Sequence, residues 1–338
     1  MRMLGPVEVS ILIVSYNTNS LTVGALSSIL SEAKDLAYET IVVDNASTDG
    51  SPEMIAAHPL KPRLIRLKDN IGFARATNMA AREARGRYLL LLNPDTVVLD
   101  HAIDRLVEFA RQRPEARIWG GRTLFVDGRL NPASCWKRMT LWGLFCRASG
   151  LAAIFPGSEL FNREGMGGWR RDTVRNVDIV SGCFFLIETS LWRGLRGFDP
   201  HFFMYGEDAD LCLRAHAFSA RPIMTPSATI VHYGGASEPV RAEKMVRLLA
   251  AKSSLIARHW RPWLVPLGRA LLASWPLSRV IATTAAAAIV PTPAMTEPSK
   301  TWRQVYTRRS EWRSGYDAYR AEAVWHAEAL PSIPKSVA

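Results

Sequence analysis

Four side chains that could take part in a reaction or bind a metal stand out in this sequence: Asp95, the adjacent pair Glu207 and Asp208, and His232. Asp95 follows a run of four leucines, in the loop where a buried strand would end. A carboxylate there suits a hard cation such as Mg²⁺ or Mn²⁺. The same position also suits a helix cap, because Asp commonly caps helices. Asp95 alone therefore leaves both interpretations open.

Glu207, Asp208 and Asp210 place three carboxylates within four positions, directly behind an aromatic run. Their mutual repulsion is costly unless a cation lies nearby or one of them acts as a base. The alternative is that the positive end of a helix dipole favours all three acids. His232 follows an apolar stretch, and a lone histidine in that setting is more often structural than a ligand.

The elements that must position these residues alternate along the first hundred residues. Apolar runs predict four strands, and amphipathic periods predict the helices between them. The predicted strands are 9–14, 40–43, 63–67 and 88–92, and the predicted helices are 19–33, 72–85 and 100–111. This order predicts an α/β fold with a mostly parallel sheet and helices on both faces. Residues 119–166 show no sustained period, and a strand at 178–188 and helices at 207–218 and 241–259 follow.

Polar residues follow each of these four strands. Turn chemistry explains any one group, but four successive groups favour a shared nucleotide pocket at the carboxyl ends of the strands. The residues are Ser15, Tyr16, Asn17, Asp44, Asn45, Asp69, Asn70, Gly72, Asn93 and Asp95. The glycine-rich phosphate motifs of dinucleotide-binding and P-loop proteins are missing from the sequence. A divalent cation is then the simplest group that could hold a diphosphate.

Six motifs in order carry a resemblance to a known family. They are Val14-Ser15-Tyr16-Asn17, Val42-Val43-Asp44-Asn45-Ala46-Ser47-Thr48-Asp49-Gly50, Asn70-Ile71-Gly72-Phe73-Ala74, Leu92-Asn93-Pro94-Asp95-Thr96, Gly197-Phe198-Asp199 and Gly206-Glu207-Asp208-Ala209-Asp210-Leu211-Cys212-Leu213-Arg214. The series closely resembles glycosyltransferase family 2, over about residues 9–237. The nearest branch is the rhamnosyltransferase-like enzymes of bacterial polysaccharide synthesis.

The resemblance implies a GT-A fold, Rossmann-like, and an inverting, metal-dependent transfer of sugar from a nucleoside-diphosphate donor. It assigns residues 1–240 to the catalytic domain, with a donor-binding half at about 1–118 and an acceptor-binding half at about 119–240. Asp208 matches the general base, with Glu207 beside it. Asp95 and His232 match metal ligands. The polar strand-end residues above would bind the donor, together with Asn78.

Two parts of the resemblance are less complete. Asn93 stands where the family's metal motif has its first Asp, so the cation has one anionic ligand fewer. The acceptor side is assigned to Trp169 and to the turn with Gly182 and Cys183, although Trp169 also suits a hydrophobic core.

The resemblance also suggests substrates. The donor would be dTDP-rhamnose, with a UDP-hexose as the alternative, and the acceptor a glycan on a polyprenyl diphosphate. Two rival functions remain. A nucleotidyltransferase would show a glycine-rich, basic N-terminal loop, which this sequence lacks, and an inactive sugar-nucleotide-binding protein would have lost Asp95 or Asp208, which are both present.

The last 98 residues differ in composition from the rest. Residues 241–338 hold fifteen Lys and Arg against six Asp and Glu, and six of the eleven Trp. Helices with interleaved aromatic and basic residues suit an anionic membrane surface, and a helical region packed on the core is the alternative. No run of eighteen uncharged apolar residues occurs, so we expect no transmembrane helix. We expect no nucleic-acid partner.

Cysteine usage and the N-terminal sequence bear on localisation. The four cysteines form no metal-binding pattern and are expected to be reduced, buried thiols. Residues 11–14 are too short an apolar run for a signal peptide. We therefore expect a cytoplasmic enzyme that lies peripherally on the inner face of the cell membrane.

Overall fold

A computed structural model describes residues 6–234 and 241–316. The N-terminal half alternates strands and helices as the sequence predicts, with one short helix and one short strand that the apolar pattern did not reveal. Its elements are β1 Val9–Ser15, α1 Asn19–Glu32, β2 Tyr38–Asp44, α2 Ser51–Ala57, β3 Arg63–Arg66, α3 Phe73–Arg82, β4 Tyr88–Leu92, β5 Thr96–Val98 and α4 Ala102–Gln112.

The second half contains more regular structure than predicted. Its elements are β6 Ile118–Leu124, β7 Cys135–Trp136, α5 Leu141–Ser149, α6 Leu151–Ile154, β8 Arg175–Asn176, β9 Ile179–Val180, β10 Phe184–Glu188, α7 Thr189–Gly194, α8 Glu207–Ala215 and β11 Ile223–His232. The interpretation of 119–166 as irregular was thus wrong for β6, α5 and α6. In β6 the apolar period is broken by Gly120 and Gly121, where a Cβ would lie 2.5 Å from the Val180 and Phe184 side chains.

Most strands form one mixed sheet, in the order β3-β2-β1-β4-β10-β6-β11-β5, with β8 paired to β11. The strands β3, β2, β1 and β4 are parallel, as predicted. Strand β10 runs antiparallel to β4 and β6, so the complete sheet is mixed rather than uniformly parallel. Two buried hydrophobic clusters cover the sheet with helices on both faces, which confirms the predicted fold class.

The C-terminal helices are α9 Arg241–His259, α10 Val265–Ile289, α11 Pro293–Thr307 and α12 Arg309–Trp312. Leu249, Leu272, Val305 and Trp312 join the same buried cluster as the central sheet. The proposed boundary at residue 240 lies outside the described residues. The sequence also predicts a helical stretch at 301–330; its first part falls in α11 and α12, and the part beyond residue 316 lies outside the described residues. The described helices pack on the part of the chain that contains the sheet.

The expectation of no transmembrane helix used too strict a criterion. Pro262–Ile289 is long and apolar enough to cross a membrane, judged by length and composition alone. Arg269 and Arg279 interrupt the apolar run, which is why the sequence criterion passed over it. Only 17% of its most apolar window is buried, so most of this segment is not a core helix.

A partly buried cluster of charged side chains connects α9 to α5 and the segment around Glu164. Glu164 forms an ion pair with Lys252 of α9, and its other oxygen lies 3.4 Å from Arg147 of α5. Burial opposes the charge on Glu164, but these two cations lower its pKa to about 2. A carboxylate whose pKa falls on folding stabilises the protein above its unfolded pKa, and that contribution is lost as the pH falls toward 2.

We expect Glu164→Gln to lower the free energy of unfolding by about 2 kcal/mol at pH 7, because two partly buried cations lose their carboxylate. Urea denaturation measures this loss, and it should shrink as the pH falls from about 4.5 toward 2. The matched control is Glu159→Gln, whose partner Arg175 forms an exposed pair, with an expected change under about 1 kcal/mol. Equal losses in the two variants would contradict this assignment.

Candidate functional site

The carboxyl ends of the parallel strands and the start of β10 meet at one edge of the sheet. Ser15 at the end of β1 is in register with Asp44 at the end of β2. Leu92 at the end of β4 is in register with Phe184 at the start of β10. The Asn93 N–H then donates to the carbonyl of Cys183 at 3.1 Å. The residues predicted to bind the sugar donor and those predicted to bind the acceptor glycan thus lie at one place.

Asp95 and His232 form the centre of this edge. The register of β5 with β11 places His232 opposite Thr96, and Asp95 Oδ1 lies 3.2 Å from His232 Nε2. The other carboxylate oxygen accepts the Gly234 N–H at 3.1 Å. Asn93 Nδ2 is 3.3 Å from the same His232 nitrogen. These contacts make Asp95 a member of a polar site rather than a helix cap.

Each partner favours the charged form of the other. Burial works to raise the pKa of Asp95, but the His232 ring and the Gly234 N–H hold it below its ordinary value. Burial works to lower the pKa of His232, whereas the Cys183 thiol and the Asp95 carboxylate raise it to about 10. In the described part of the chain, the buried His232 Nδ1 has no hydrogen-bond partner.

Asp95 and His232 are the two side chains that could ligate a divalent cation at this position. An octahedral cation with ligands at about 2.1 Å holds adjacent ligand atoms about 3 Å apart, and Asp95 Oδ1 and His232 Nε2 have that separation. Within 6–234 and 241–316, no group of three His, Cys, Asp or Glu side chains could hold a metal. The residues fit a cation that takes its remaining ligands from a bound diphosphate, as Mg²⁺ commonly does.

The three acids at the start of α8 have separate environments. Asp210 is fully buried and accepts hydrogen bonds from His259 at 2.9 Å and Arg214 at 2.7 Å, which hold its pKa below normal despite burial. Asp208 Oδ2 accepts the Gly182 N–H at 3.0 Å. Glu207 is buried, and its Oε2 has no hydrogen-bond partner among the residues that the structure describes. Asp210 is therefore structural, and Asp208 is the acid that contacts the site.

Glu207 and Asp208 both favour protonation. Burial raises the pKa of Glu207 well above its ordinary value, and the charges of Asp208 and Asp210 raise it further. Burial also raises the pKa of Asp208, although the Gly182 and Ala209 N–H groups oppose the shift. A carboxylate with a raised pKa beside a polar cleft has the properties of a general base.

The predicted donor side is a network of loops after β2 and β3. Asn45 Nδ2 donates to Asn70 Oδ1 at 2.9 Å, and Asn45 Oδ1 accepts the Ile71 N–H at 3.0 Å. Asp44 Oδ1 accepts the Ser47 N–H, whereas the buried Asp44 Oδ2 has no partner within 6–234 and 241–316. Asn45 and Asn70 hold the loops in place, and Asp44 keeps one oxygen free to accept a hydrogen bond.

Gly72 and Phe203 connect the loop after β3 to the segment before α8. Gly72 has φ +83°, and a Cβ there would lie 2.6 Å from the Phe203 carbonyl oxygen. That carbonyl accepts the Phe73 N–H at 2.9 Å. Sequence reasoning noted Phe203 only as part of an aromatic run. Its role depends on a backbone contact over 130 residues of chain, for which the sequence contains no local signal.

The remaining predicted donor residues differ in accessibility. Tyr16 is half-buried and Asp69 is exposed at the same edge, and the Asn17 carboxamide accepts the Thr48 N–H. The Ser15 hydroxyl is fully buried among Thr18 and Thr22, where it supports the strand end. Direct contact of Tyr16, Asn17 and Asp69 with the sugar donor stays a prediction. Ser15 has no exposed surface with which to contact it.

Asn78 has a different environment from the predicted one. Its carboxamide donates to the Phe198 carbonyl at 2.8 Å and accepts the Phe198 N–H at 2.9 Å. Both polar ends are thus used to fasten α3 to the Gly197-Phe198-Asp199 turn. The structure supports a structural role for Asn78 rather than the donor contact that the resemblance implied.

The three predicted acceptor residues fall in two places. Gly182 and Cys183 lie between Asp208 and Asn93, and a Cβ on Gly182 would approach Phe73 and Asp208 to within 4 Å. Trp169 lies apart from them in its contacts: its indole N–H donates to Thr173 Oγ1, and the guanidinium groups of Arg171 and Arg175 lie over its ring. It is half-buried and packs on the main core.

Comparisons with known proteins identify the family. The family model described as "Glycosyl transferase family 2" matches residues 10–191, more than half of the chain. The succinoglycan biosynthesis protein ExoO of Rhizobium meliloti is 34% identical over 259 residues, which cover 75% of this chain and 69% of that protein. Asp208 and His232 lie beyond the residues that the family model matches.

Two other relatives have more specific names. The O-antigen biosynthesis protein RfbC of Myxococcus xanthus is 29% identical over 78% of this chain, which spans only 20% of that protein's length. The N-acetylglucosaminyl-diphospho-decaprenol L-rhamnosyltransferase of Mycobacterium tuberculosis is 26% identical over 60% of this chain and 69% of that protein. Both names belong to polysaccharide or lipid-linked glycan synthesis.

A solved structure shows the same fold. The mannosyltransferase PcManGT from Pyrobaculum calidifontis, in complex with GDP-Man and Mn²⁺, aligns with a TM-score of 0.55 at 18% identity. The alignment covers 96% of this chain and 91% of that one. The family match and the fold agree with the resemblance seen in the motifs, and this chain belongs to glycosyltransferase family 2, with a GT-A fold and homologues in polysaccharide biosynthesis.

Proposed function

We propose that this enzyme is an inverting, metal-dependent hexosyltransferase that moves rhamnose from dTDP-rhamnose to a lipid-linked glycan of the cell surface. The observation that carries the proposal is the arrangement around Gly182 and Cys183. Asp208 lies on one side of this turn, and Asn93, with the Asp95–His232 pair, lies on the other.

Asp208 is the proposed general base. Its ionised carboxylate would take the proton from the acceptor hydroxyl as the oxygen attacks the anomeric carbon. The Gly182 N–H holds the carboxylate in position, and burial raises the pKa of Asp208, which makes it a stronger base. Attack on the face opposite the departing diphosphate inverts the anomeric centre in a single displacement.

Asp95 and His232 would hold a Mg²⁺ or Mn²⁺ ion, with Asn93 placed to bind a ribose hydroxyl or a metal-bound water. The ion supplies Lewis-acid neutralisation of the departing diphosphate. In this chain the Gly234 N–H keeps Asp95 ionised and oriented, and the Asn93 carboxamide lies beside the His232 ring. The manganese in the related mannosyltransferase structure supports this proposal.

The donor nucleotide would lie along the loops after β2 and β3, against Tyr16, Asp44, Asp69 and the 70–72 backbone. The free, buried Asp44 Oδ2 would accept the imide N–H that thymine and uracil share. This feature supports a dTDP-sugar and a UDP-hexose equally. The Mycobacterium relative, named as an L-rhamnosyltransferase, supports rhamnose as the first sugar to test.

The proposed acceptor is a glycan on a polyprenyl diphosphate, by analogy with the decaprenol named for the same relative. Gly182 and Cys183 would form its side of the cleft, and Trp169 would lie farther along it. The enzyme would then work peripherally at the cytoplasmic membrane, with the basic region 241–338 as the part that approaches the anionic surface.

We expect Asp208→Asn to lower kcat for sugar transfer by about 10²- to 10⁴-fold, because the amide cannot accept the proton. A screen of dTDP- and UDP-sugars with Mn²⁺, read out as nucleotide release, identifies the donor. Calorimetric binding of that donor should be unchanged in the variant. Full turnover of Asp208→Asn would exclude Asp208 as the base.

The pH profile gives a second test of the base. Only the ionised form of Asp208 accepts a proton, and its pKa is raised above that of a free carboxyl. We therefore expect kcat/KM to fall with decreasing pH, beginning above the ordinary carboxyl range of about 4. A flat profile down to the acid limit of stability would contradict this role.

Metal binding is tested separately from activity. We expect Asp95→Asn and His232→Ala each to weaken Mn²⁺ binding at least about tenfold in the presence of the nucleoside diphosphate, because each removes one of two protein ligands. Electron paramagnetic resonance of free Mn²⁺ measures the loss. The control is Asp49→Asn, an acid that bonds to Ser51 and Asn19 instead. Unchanged binding in both site variants would place the ion elsewhere.

A further inference from the structure

An exposed aromatic cluster lies in the acceptor half of the chain, on α5 and the segment after α6. Trp142 and Phe145 stack with their ring centroids 5.6 Å apart, and Phe161 lies 6.3 Å from Trp142 and 5.2 Å from Phe155. Trp142, Phe145 and Phe155 are each more than 40% exposed. Three exposed rings and the half-buried Phe161 form an apolar patch of the kind that marks an interaction site on a soluble surface.

The exposed face of α10 is a second apolar surface. Its solvent-facing positions recur every three or four residues and include no charged side chain. They are Leu267, Ala270, Ser274, Leu277, Ile281, Ala285 and Ala288. A surface helix of a soluble protein normally carries charged and polar residues on the face away from the core. Here the opposite face, with Leu272 and Trp275, is already buried.

The two surfaces belong to adjoining elements. Helices α5 and α10 pack directly on each other, and the Arg147 guanidinium of α5 lies 4.9 Å from the Trp275 ring of α10. We name the aromatic cluster and the exposed side of α10 together the apolar face. It combines a segment of the catalytic half with a helix of the C-terminal region.

The charges around the apolar face favour one occupant. Residues 141–161 and 261–296 contain four arginines and a single acid, Glu159, which is paired with Arg175. A protein partner would gain specificity from charges of both signs at the rim, whereas an anionic lipid surface requires apolar and aromatic side chains with positive charge only. Tryptophan and arginine are the side chains that such an interface accommodates best.

We propose that the apolar face is the surface by which the enzyme lies on an anionic lipid bilayer. The aromatic cluster, on α5 and the segment after α6, would insert beside α10. This inference rests on the proposed function, in which the acceptor is carried by a lipid. Binding through the apolar face would bring the acceptor half of the enzyme against that lipid. It differs from attachment by the C-terminal region alone, because part of the contact comes from residues 142–161.

An insertion measurement tests the proposal directly. All four native cysteines are buried, so a single introduced cysteine can carry an environment-sensitive fluorophore. We expect the label at Phe145→Cys and at Ile281→Cys to shift to the blue on addition of vesicles of phosphatidylcholine and phosphatidylglycerol. The control is Met54→Cys on α2, a residue of similar exposure to Phe145, and its label should not shift. A shift at residue 281 without one at residue 145 would overturn the role of the aromatic cluster.

Charge substitutions give the energetic counterpart. Phe145→Glu and Ile281→Glu should each lower the vesicle partition coefficient of the full chain at least about tenfold, and Met54→Glu should leave it unchanged. Thermal unfolding and donor hydrolysis without lipid, equal to wild type, show that the variants are folded. Unchanged partition of both apolar-face variants would refute the proposal.

Two further outcomes are decisive. If the wild type is a dimer that Phe145→Glu converts to a monomer, with vesicle binding retained, the face is an interface between two copies and the proposal fails. Partition is measured without donor or acceptor. Vesicle binding with no sugar transfer would therefore reject the proposed function while supporting the lipid contact, and transfer without vesicle binding would do the reverse.

Discussion

The antiparallel pairing of β10 with β4 is the constraint on which the site depends. Parallel strands β1, β2 and β4 end at one edge of the sheet, and an antiparallel neighbour must begin at that same edge. In the Gly182-Cys183 turn, the Cys183 carbonyl therefore accepts the Asn93 N–H, and the Gly182 N–H donates to Asp208. A second antiparallel pairing, β11 with β5, delivers His232 to Asp95. Two strand directions thus bring distant segments of chain to one cleft.

The three acids at the start of α8 differ in role because each has different hydrogen-bond partners, although they are close together in the sequence. Asp210 is paired with His259 and Arg214, Asp208 accepts the Gly182 N–H, and Glu207 is buried beside them. His259 belongs to α9, so a C-terminal helix stabilises the helix that presents the proposed base. The C-terminal region is for this reason part of the architecture of the site, whatever further partner it has.

The helix α10 has two dissimilar surfaces. One side shares the main core with α5, and the other shows an uncharged stripe to solvent. Packing on the core and contact with a lipid surface were alternatives when only the composition of the region was known. In the structure they are compatible, because each uses a different side of the same helix.

The sequence by itself determined the α/β class, the four parallel strands, the polar strand ends and the family, because these depend on local periodicity and on ordered motifs. It also singled out Asp95, Asp208 and His232. The tertiary structure alone decided that Asn78 fastens the Phe198 backbone, that Ser15 is fully buried, and that Phe203 supports the donor loop. It also revealed β6, whose glycines hide the apolar period because two side chains press against them. Each of these outcomes depends on contacts between segments far apart in the chain, and no local pattern of residue types encodes which distant carbonyl or ring a side chain will meet.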